Sequence, residues 1–216
     1  MSRNIKEESF KYSKYLQGAE LDEKEGFPII SPTQAIPIKV MSFNEWRSKG
    51  YPRDVWVDHF IDDYQFNCVY RNCDKYLEKY RGALGVIGTD YSAYRDMPLY
   101  HRKENVGRNR EIDYYLQSHG VTVIPVISYA YMSDLEWCLR GIPNNSSVAI
   151  STNGSMRNFV SREMFIDGAI ELQRRLTPSH LVIAGKPVSE LDALFDNIIY
   201  YPNFSQRLAM RRRKNG

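Results

Sequence analysis

Cysteine is scarce in this chain. Cys68, Cys73 and Cys138 are the only three, an odd number without a CxxC pair. That excludes a disulfide framework and a cysteine-rich zinc site. Histidine is equally thin. His59, His101, His119 and His180 are scattered and supply no zinc-binding cluster. No window approaches the roughly 18 uninterrupted apolar residues of a membrane span. The opening stretch MSRNIKEESFKYSKY has no apolar core of signal-peptide length, so a cytoplasmic, non-membrane protein is expected. Charge of one sign is lacking too: 29 basic and 26 acidic residues leave a formal net charge of +3, too small to indicate a nucleic-acid partner from bulk charge.

What is present describes a folded chain. Hydrophobic residues make up 43%, and 16 tyrosines raise the aromatic content to 13%, outside the range of disordered sequences. The 216 residues suffice for one large domain with a sizeable core. Residues 1–30 are polar, tyrosine-rich and broken by Gly18, Gly26 and Pro28, and read as an arm packed on the body. Residues 31–205 read as a single α/β domain and residues 206–216 as a basic tail.

Within the body, runs of strand length recur: IPIKVM, DVWVDHFI, ALGVIGT, VTVIPVIS, SVAIST, HLVIAG and NIIYY. Helical spacing lies between most of them. Val69, Cys73, Tyr76 or Leu77, and Tyr80 mark one buried face, and Phe165, Ala169, Leu172 and Leu176 another. Ser133 with Glu136, and Ser189 with Asp192, have capping-box spacing. Alternating strands and helices imply a predominantly parallel sheet with right-handed crossovers. An incomplete or irregular, TIM-like β/α barrel is favoured over an open doubly wound sheet.

In either architecture ligands gather where parallel strands end at their carboxyl side. Asp62 and Asp63 follow one strand and Asp90 the next. Carboxylates on two strands can hold Mg²⁺ or Mn²⁺ through oxygen, or divide acid and base work without a metal. The plainer reading of each is a helix cap or turn. His59 alternates with its neighbours and reads as a core histidine. STNGSMRN, with Thr152, Asn153 and Gly154, can wrap an anion but lacks the spacing and lysine of a P-loop. Lys186 in AGKP is a phosphate contact or a solvated charge.

The connection YSAYRDMPLYHRKENVGRNRE is dense in arginine and tyrosine. Arg95, Arg102, Arg108 and Arg110 are donors for phosphate, and Tyr91, Tyr94 and Tyr100 are faces on which bases stack. Ion pairing and core cover are the alternative uses. At the end, Arg207, Arg211, Arg212, Arg213 and Lys214 form a cluster of the kind that binds nucleic acid by counterion release, or that is merely solvated.

The ordered pieces FIDDYQF, YRDMP, RNREIDYYLQSHGVTVIPVISY, CLRGIPNNSSVAISTNG and RRLTPSHLVIAGK, spread from Pro28 to Lys186, resemble a domain-of-unknown-function family of phages, prophages and related mobile elements. The resemblance implies a setting in nucleic-acid metabolism or host takeover, with nucleic acid or a host protein as partner. It carries over as motif residues Asp62, Asp63, Tyr64, Asp90, Tyr94, Arg95, Asp96, Arg108, Asn109, Arg110, Thr152 and Gly154. Family members commonly place a tryptophan and an acid after the VIP strand, where this chain has Ser128, Tyr129 and Ala130. Two activities follow as expectations: a metal-dependent phosphodiester hydrolase, or a non-enzymatic binder of nucleic acid or of a host protein.

Overall fold

A computed structural model describes residues 14–156 and 158–214. Its strands all pair in parallel. β1 (Val40–Ser42), β2 (Trp56–Asp58), β3 (Gly85–Ile87) and β4 (Val123–Ile124) form one sheet in that order; β5 (Ser147–Ser151), β6 (His180–Ala184) and β7 (Ile198–Tyr201) form another. A parallel bridge between Val126 and Ala149 links them. There the Ala149 amide donates to the Pro125 carbonyl and the Ile127 amide to the Ala149 carbonyl, both at 2.9 Å.

The helices are α1 (Phe43–Ser48), α2 (Asp63–Arg71), α3 (Cys73–Gly82), α4 (Leu99–Ser118), α5 (Leu135–Cys138), α6 (Phe159–Leu176), α7 (Ser189–Asp192) and α8 (Phe204–Lys214). None is long and apolar enough to cross a membrane among the described residues.

Alternation along the strands sorts their side chains into three apolar groups. Trp56, Ile87, Ile124, Ala149, Val182 and Tyr201, drawn from six strands, meet in one inner cluster. On the other side, Val57, Val86 and Val123 pack under α1 to α4, while Val148, Ile150, Leu181 and Ile183 pack under α5 to α7. One shared inner face means that the sheet curls. Gly85 makes room for the Trp56 ring of the neighbouring strand, since a Cβ there would lie 2.5 Å from it.

The curl does not become a closed TIM-like barrel: among the described residues β7 has no pairing with β1, and the fold is an irregular, open β/α form. Arg207, on α8, spans the gap. It donates to the Ser42 hydroxyl at the end of β1 and reaches the Asp58 carboxylate at the end of β2, 3.3 Å away.

Several local expectations are corrected. The helical face expected from Val69 to Tyr80 is split at Asn72, whose extended backbone ends α2 and whose side chain accepts the Lys75 amide to start α3. The arginine-rich connection is helix α4 from Leu99 onward. Neither serine makes its capping box: Asp134 instead accepts the Ala130 and Tyr131 amides, and Ser189 turns to Glu190. The basic C-terminal stretch lies in α8 as far as Lys214, whose side chain is outside the described residues. Residues 14–30 lie on the body through Tyr15, Phe27 and Ile30; residues 1–13 are outside the described part.

Candidate functional site

The segments that follow β2, β3, β4 and β5 enclose a cavity of about 430 Å³ at the carboxyl ends of the strands. Asp62 reaches it from the N-terminal flank of α2, Asp90 from the segment after β3, Ser128 and Tyr129 from the segment after β4, and Ser151, Asn153 and Gly154 from the end of β5. Ser161 and Met164 of α6 form the far wall, and Tyr94 and Arg95 the rim. This is where a parallel α/β sheet places its ligands, because strand ends are held rigidly while the loops are free to vary.

The three aspartates have different surroundings. Asp90 accepts the Ser128 hydroxyl. Burial, with added repulsion from Asp63 and Asp58, pushes its carboxyl up to about 7, so it exchanges its proton near neutrality. Asp63 turns from the cavity to receive the Ser92 hydroxyl at 2.8 Å and the Ser92 amide at 3.2 Å, which ties α2 to the segment after β3. Burial raises it as well. Asp62 is exposed at the rim and accepts from the Gln65 side chain at 3.3 Å.

Expected as ligands for Mg²⁺ or Mn²⁺, the three are not brought together: among the described residues no three His, Cys, Asp or Glu side chains gather to hold a metal ion. The reason is local, because Asp63 is committed to Ser92 and Asp90 to Ser128.

Of the arginines in the connection, only Arg95 faces the cavity, with its guanidinium 3.2 Å from the Met164 sulfur. Arg102 is buried in a two-pronged ion pair with Asp134, both contacts at 3.0 Å. Arg108 lies over the Tyr70 and Tyr91 rings and pairs with Glu104. Arg110 is buried and donates to the carbonyls of Val126, at 3.0 Å, and Cys138, at 2.9 Å. Each of these three guanidinium groups is taken up by protein partners, and none of them lines the cavity.

Tyr91 and Asn109 are likewise interior, the Tyr91 amide donating to Asn109. Thr152 is buried with its hydroxyl directed to the Ala184 carbonyl, and Lys186 is exposed outside the cavity. In α8, Arg207 and Arg211 pair with the buried Glu45, while Arg212 and Arg213 are exposed. His59 is buried: its ring nitrogens meet the Ile87 carbonyl at 3.0 Å and the Tyr80 hydroxyl at 2.8 Å, and burial lowers its pKa to about 4.

Fold and site together define an open, parallel α/β protein with a polar cavity at its strand ends. The chain belongs to the family described as "Domain of unknown function (DUF4417)", whose model matches residues 19–202. Similar proteins are both called "Gene 1 protein", one from Mycobacterium phage D29 and one from Mycobacterium phage L5. Each is 29% identical over 182 residues, covering 83% of this chain and 67% and 80% of its own length respectively. The family is thus one carried by phages. No solved structure matches the chain.

Proposed function

We propose that this phage-family protein binds a phosphorylated, base-bearing ligand in the strand-end cavity, namely the unpaired end of a nucleic-acid strand. The observation that carries the reading is the strand-end cavity itself, with Asp90 held by the Ser128 hydroxyl in its lining together with one arginine, Arg95, and one exposed tyrosine, Tyr94. Arg95 offers a planar donor pair to phosphate, and Tyr94 a face for a base. Ser151, Asn153 and Ser161 add neutral hydrogen-bonding groups suited to sugar and phosphate oxygens.

The same groups offer a route to hydrolysis of a phosphodiester. Protonated Asp90 delivers its proton to the leaving oxygen, the Asp62 carboxylate takes one from water, and that water's oxygen forms the new bond to phosphorus. The route uses the two carboxylates that line the cavity and needs no third.

The test is a titration of labelled single-stranded DNA and RNA into wild type, Arg95→Ala, Asp90→Asn and the Arg212→Ala/Arg213→Ala pair, with and without Mg²⁺ or Mn²⁺. Arg95→Ala is expected to weaken binding about tenfold or more, the loss associated with a charge-assisted contact. Asp90→Asn is expected to remove any cleavage. Binding that is unchanged in both cavity variants but lost in the α8 pair would move the site to α8. No binding by wild type would remove nucleic acid from the reading and leave a host protein as the partner to seek.

A further inference from the structure

Asn105, Asn109 and Asp113 recur every four residues along α4 and therefore lie in one row on its surface. The row faces residues 88–92, the segment that carries Asp90. At one end the Asn105 side-chain amide donates to the Ser92 carbonyl at 2.7 Å. In the middle the Tyr91 amide donates to Asn109 Oδ1 at 2.9 Å. At the other end the Asp113 carboxylate lies against Gly88, where a Cβ would stand 2.5 Å from Oδ1.

These three contacts flank Asp90 on both sides. Residues 88–92 belong to no strand or helix: the Gly88 amide donates to the Ile124 carbonyl at 2.9 Å and the Ser92 amide to Asp63 at 3.2 Å, and the other polar backbone groups need partners from elsewhere. The α4 row supplies partners for the Tyr91 amide and the Ser92 carbonyl. Gly88 and Asp113 are matched to each other, since any side chain at 88 would expel the carboxylate. Asp113 is 0% exposed, and its burial opposes the charge that the Thr89 backbone and the Arg110 guanidinium favour. A buried acid kept under such conditions costs stability, which points to a use other than holding the fold together.

We infer that Asn105, Asn109 and Asp113 are positioning residues that hold residues 88–92 so that the Asp90 carboxyl stays turned into the cavity against Ser128. The charged and titratable groups that act on Asp90 come from elsewhere: Asp63 of α2, Asp58 of β2 and Tyr201 of β7, with the Ser128 hydroxyl after β4 as its hydrogen-bond donor. None is on α4. The row therefore works through the backbone that carries Asp90, and breaking it frees the carboxyl to rotate toward water.

The inference does not depend on what the cavity binds, and its experiment reads Asp90 itself. Carboxyl carbon NMR follows Asp90 through a pH titration in wild type, Asn105→Ala, Asn109→Ala and Asn109→Asp, with thermal unfolding recorded on the same samples. Asn105 is only partly buried, so Asn105→Ala is the variant that folds even where Asn109→Ala does not. In the alanine variants the Asp90 midpoint is expected to fall by at least one pH unit, a tenfold drop in proton affinity. In Asn109→Asp, which keeps an acceptor for the Tyr91 amide and adds a further acid nearby, it is expected not to fall below the wild-type value.

An Asp90 midpoint that is the same in Asn105→Ala as in wild type, whatever the melting temperatures do, overturns the inference. So does a wild-type midpoint at the ordinary carboxylate value. Oligonucleotide binding on the same samples keeps the two readings apart. A wild type that binds nothing yet shows the shift in its variants loses the proposed ligand and keeps the positioning row.

Discussion

Arg207 reaches from α8 to within 3.3 Å of the Asp58 carboxylate, across the one edge where the curled sheet does not close on itself. Two residues 149 positions apart thus join the end of the chain to the end of β2. Around them, Glu45 approaches the same guanidinium at 3.4 Å, and the Ser42 hydroxyl accepts from it. Arginine suits the position because its fork can serve a hydroxyl and two carboxylates at once, which an ammonium on a flexible stem cannot do with the same geometry.

Arg207→Ala is therefore expected to destabilise the protein by about 3 kcal/mol, the scale of leaving a buried carboxylate unpaired. Asp58→Asn in the same background restores part of that loss, because the orphaned charge goes with it. Urea denaturation of the single and double variants measures both effects. Equal midpoints for wild type and Arg207→Ala would mean that α8 does not hold the seam.

Asp134 and Arg102 form a second buried pair among the described residues, and the carboxylate also accepts two backbone amides. Asp134→Ala is expected to cost about 3–5 kcal/mol, since it strands the guanidinium and both amides. Arg102→Ala should lower stability without changing the salt dependence of oligonucleotide binding. A flattened salt slope would instead return Arg102 to the ligand.

Asp113 makes stability depend on pH in a predictable direction. Burial pushes its carboxyl up to about 7 from an unfolded value near 3.8. The folded state thus holds the proton more tightly than the unfolded state, and this group's contribution is lost as pH rises from about 4 to 7, then levels off. Asp113→Asn should be more stable than wild type at pH 8 by up to about 4 kcal/mol, at roughly 1.4 kcal/mol per pKa unit, with the gain vanishing near pH 4. Denaturation midpoints at the two pH values decide it.

His59 acts in the opposite sense. Its folded pKa of about 4 lies below the ordinary 6.5, so the folded state resists protonation while the unfolded state accepts it. Stability from this residue is intact above 6.5 and is lost as pH falls toward 4, by about 3 kcal/mol in all. Ring proton NMR should show no His59 titration above pH 5. A midpoint near 6.5 would place the ring in water.

Much of the architecture was written in local patterns. The apolar runs around Val57, Val86, Val123, Val148, Val182 and Ile199 announced parallel strands, because a strand covered on both faces has no polar side to interrupt it. The strand-end rule pointed to Asp62, Asp90 and Asn153 without any knowledge of packing, and all three line the one cavity. The same rule failed for Asp63 and Thr152, which stand beside cavity residues but turn elsewhere, as adjacent residues on a turn often do. Ser161 and Met164 gave no sequence signal at all: they reach the cavity from the third dimension, on the first turns of a helix whose visible pattern was its buried face.

The arginines show most clearly where local reading ends. Composition left Arg102, Arg108, Arg110 and Arg207 open to a ligand or to a partner within the protein, because a guanidinium has the same donors whether it meets phosphate, a carboxylate or a backbone carbonyl. The sequence by itself determined that these donors exist and that strands and helices alternate around them. Only the tertiary structure decided which partners they meet, because the contacts join residues distant along the chain, Arg102 with Asp134 and Arg207 with Asp58, and that proximity arises only when the sheet curls. For the same reason the sequence could name Asp90, while its environment came from Ser128, Asp63 and the row on α4, assembled by folding.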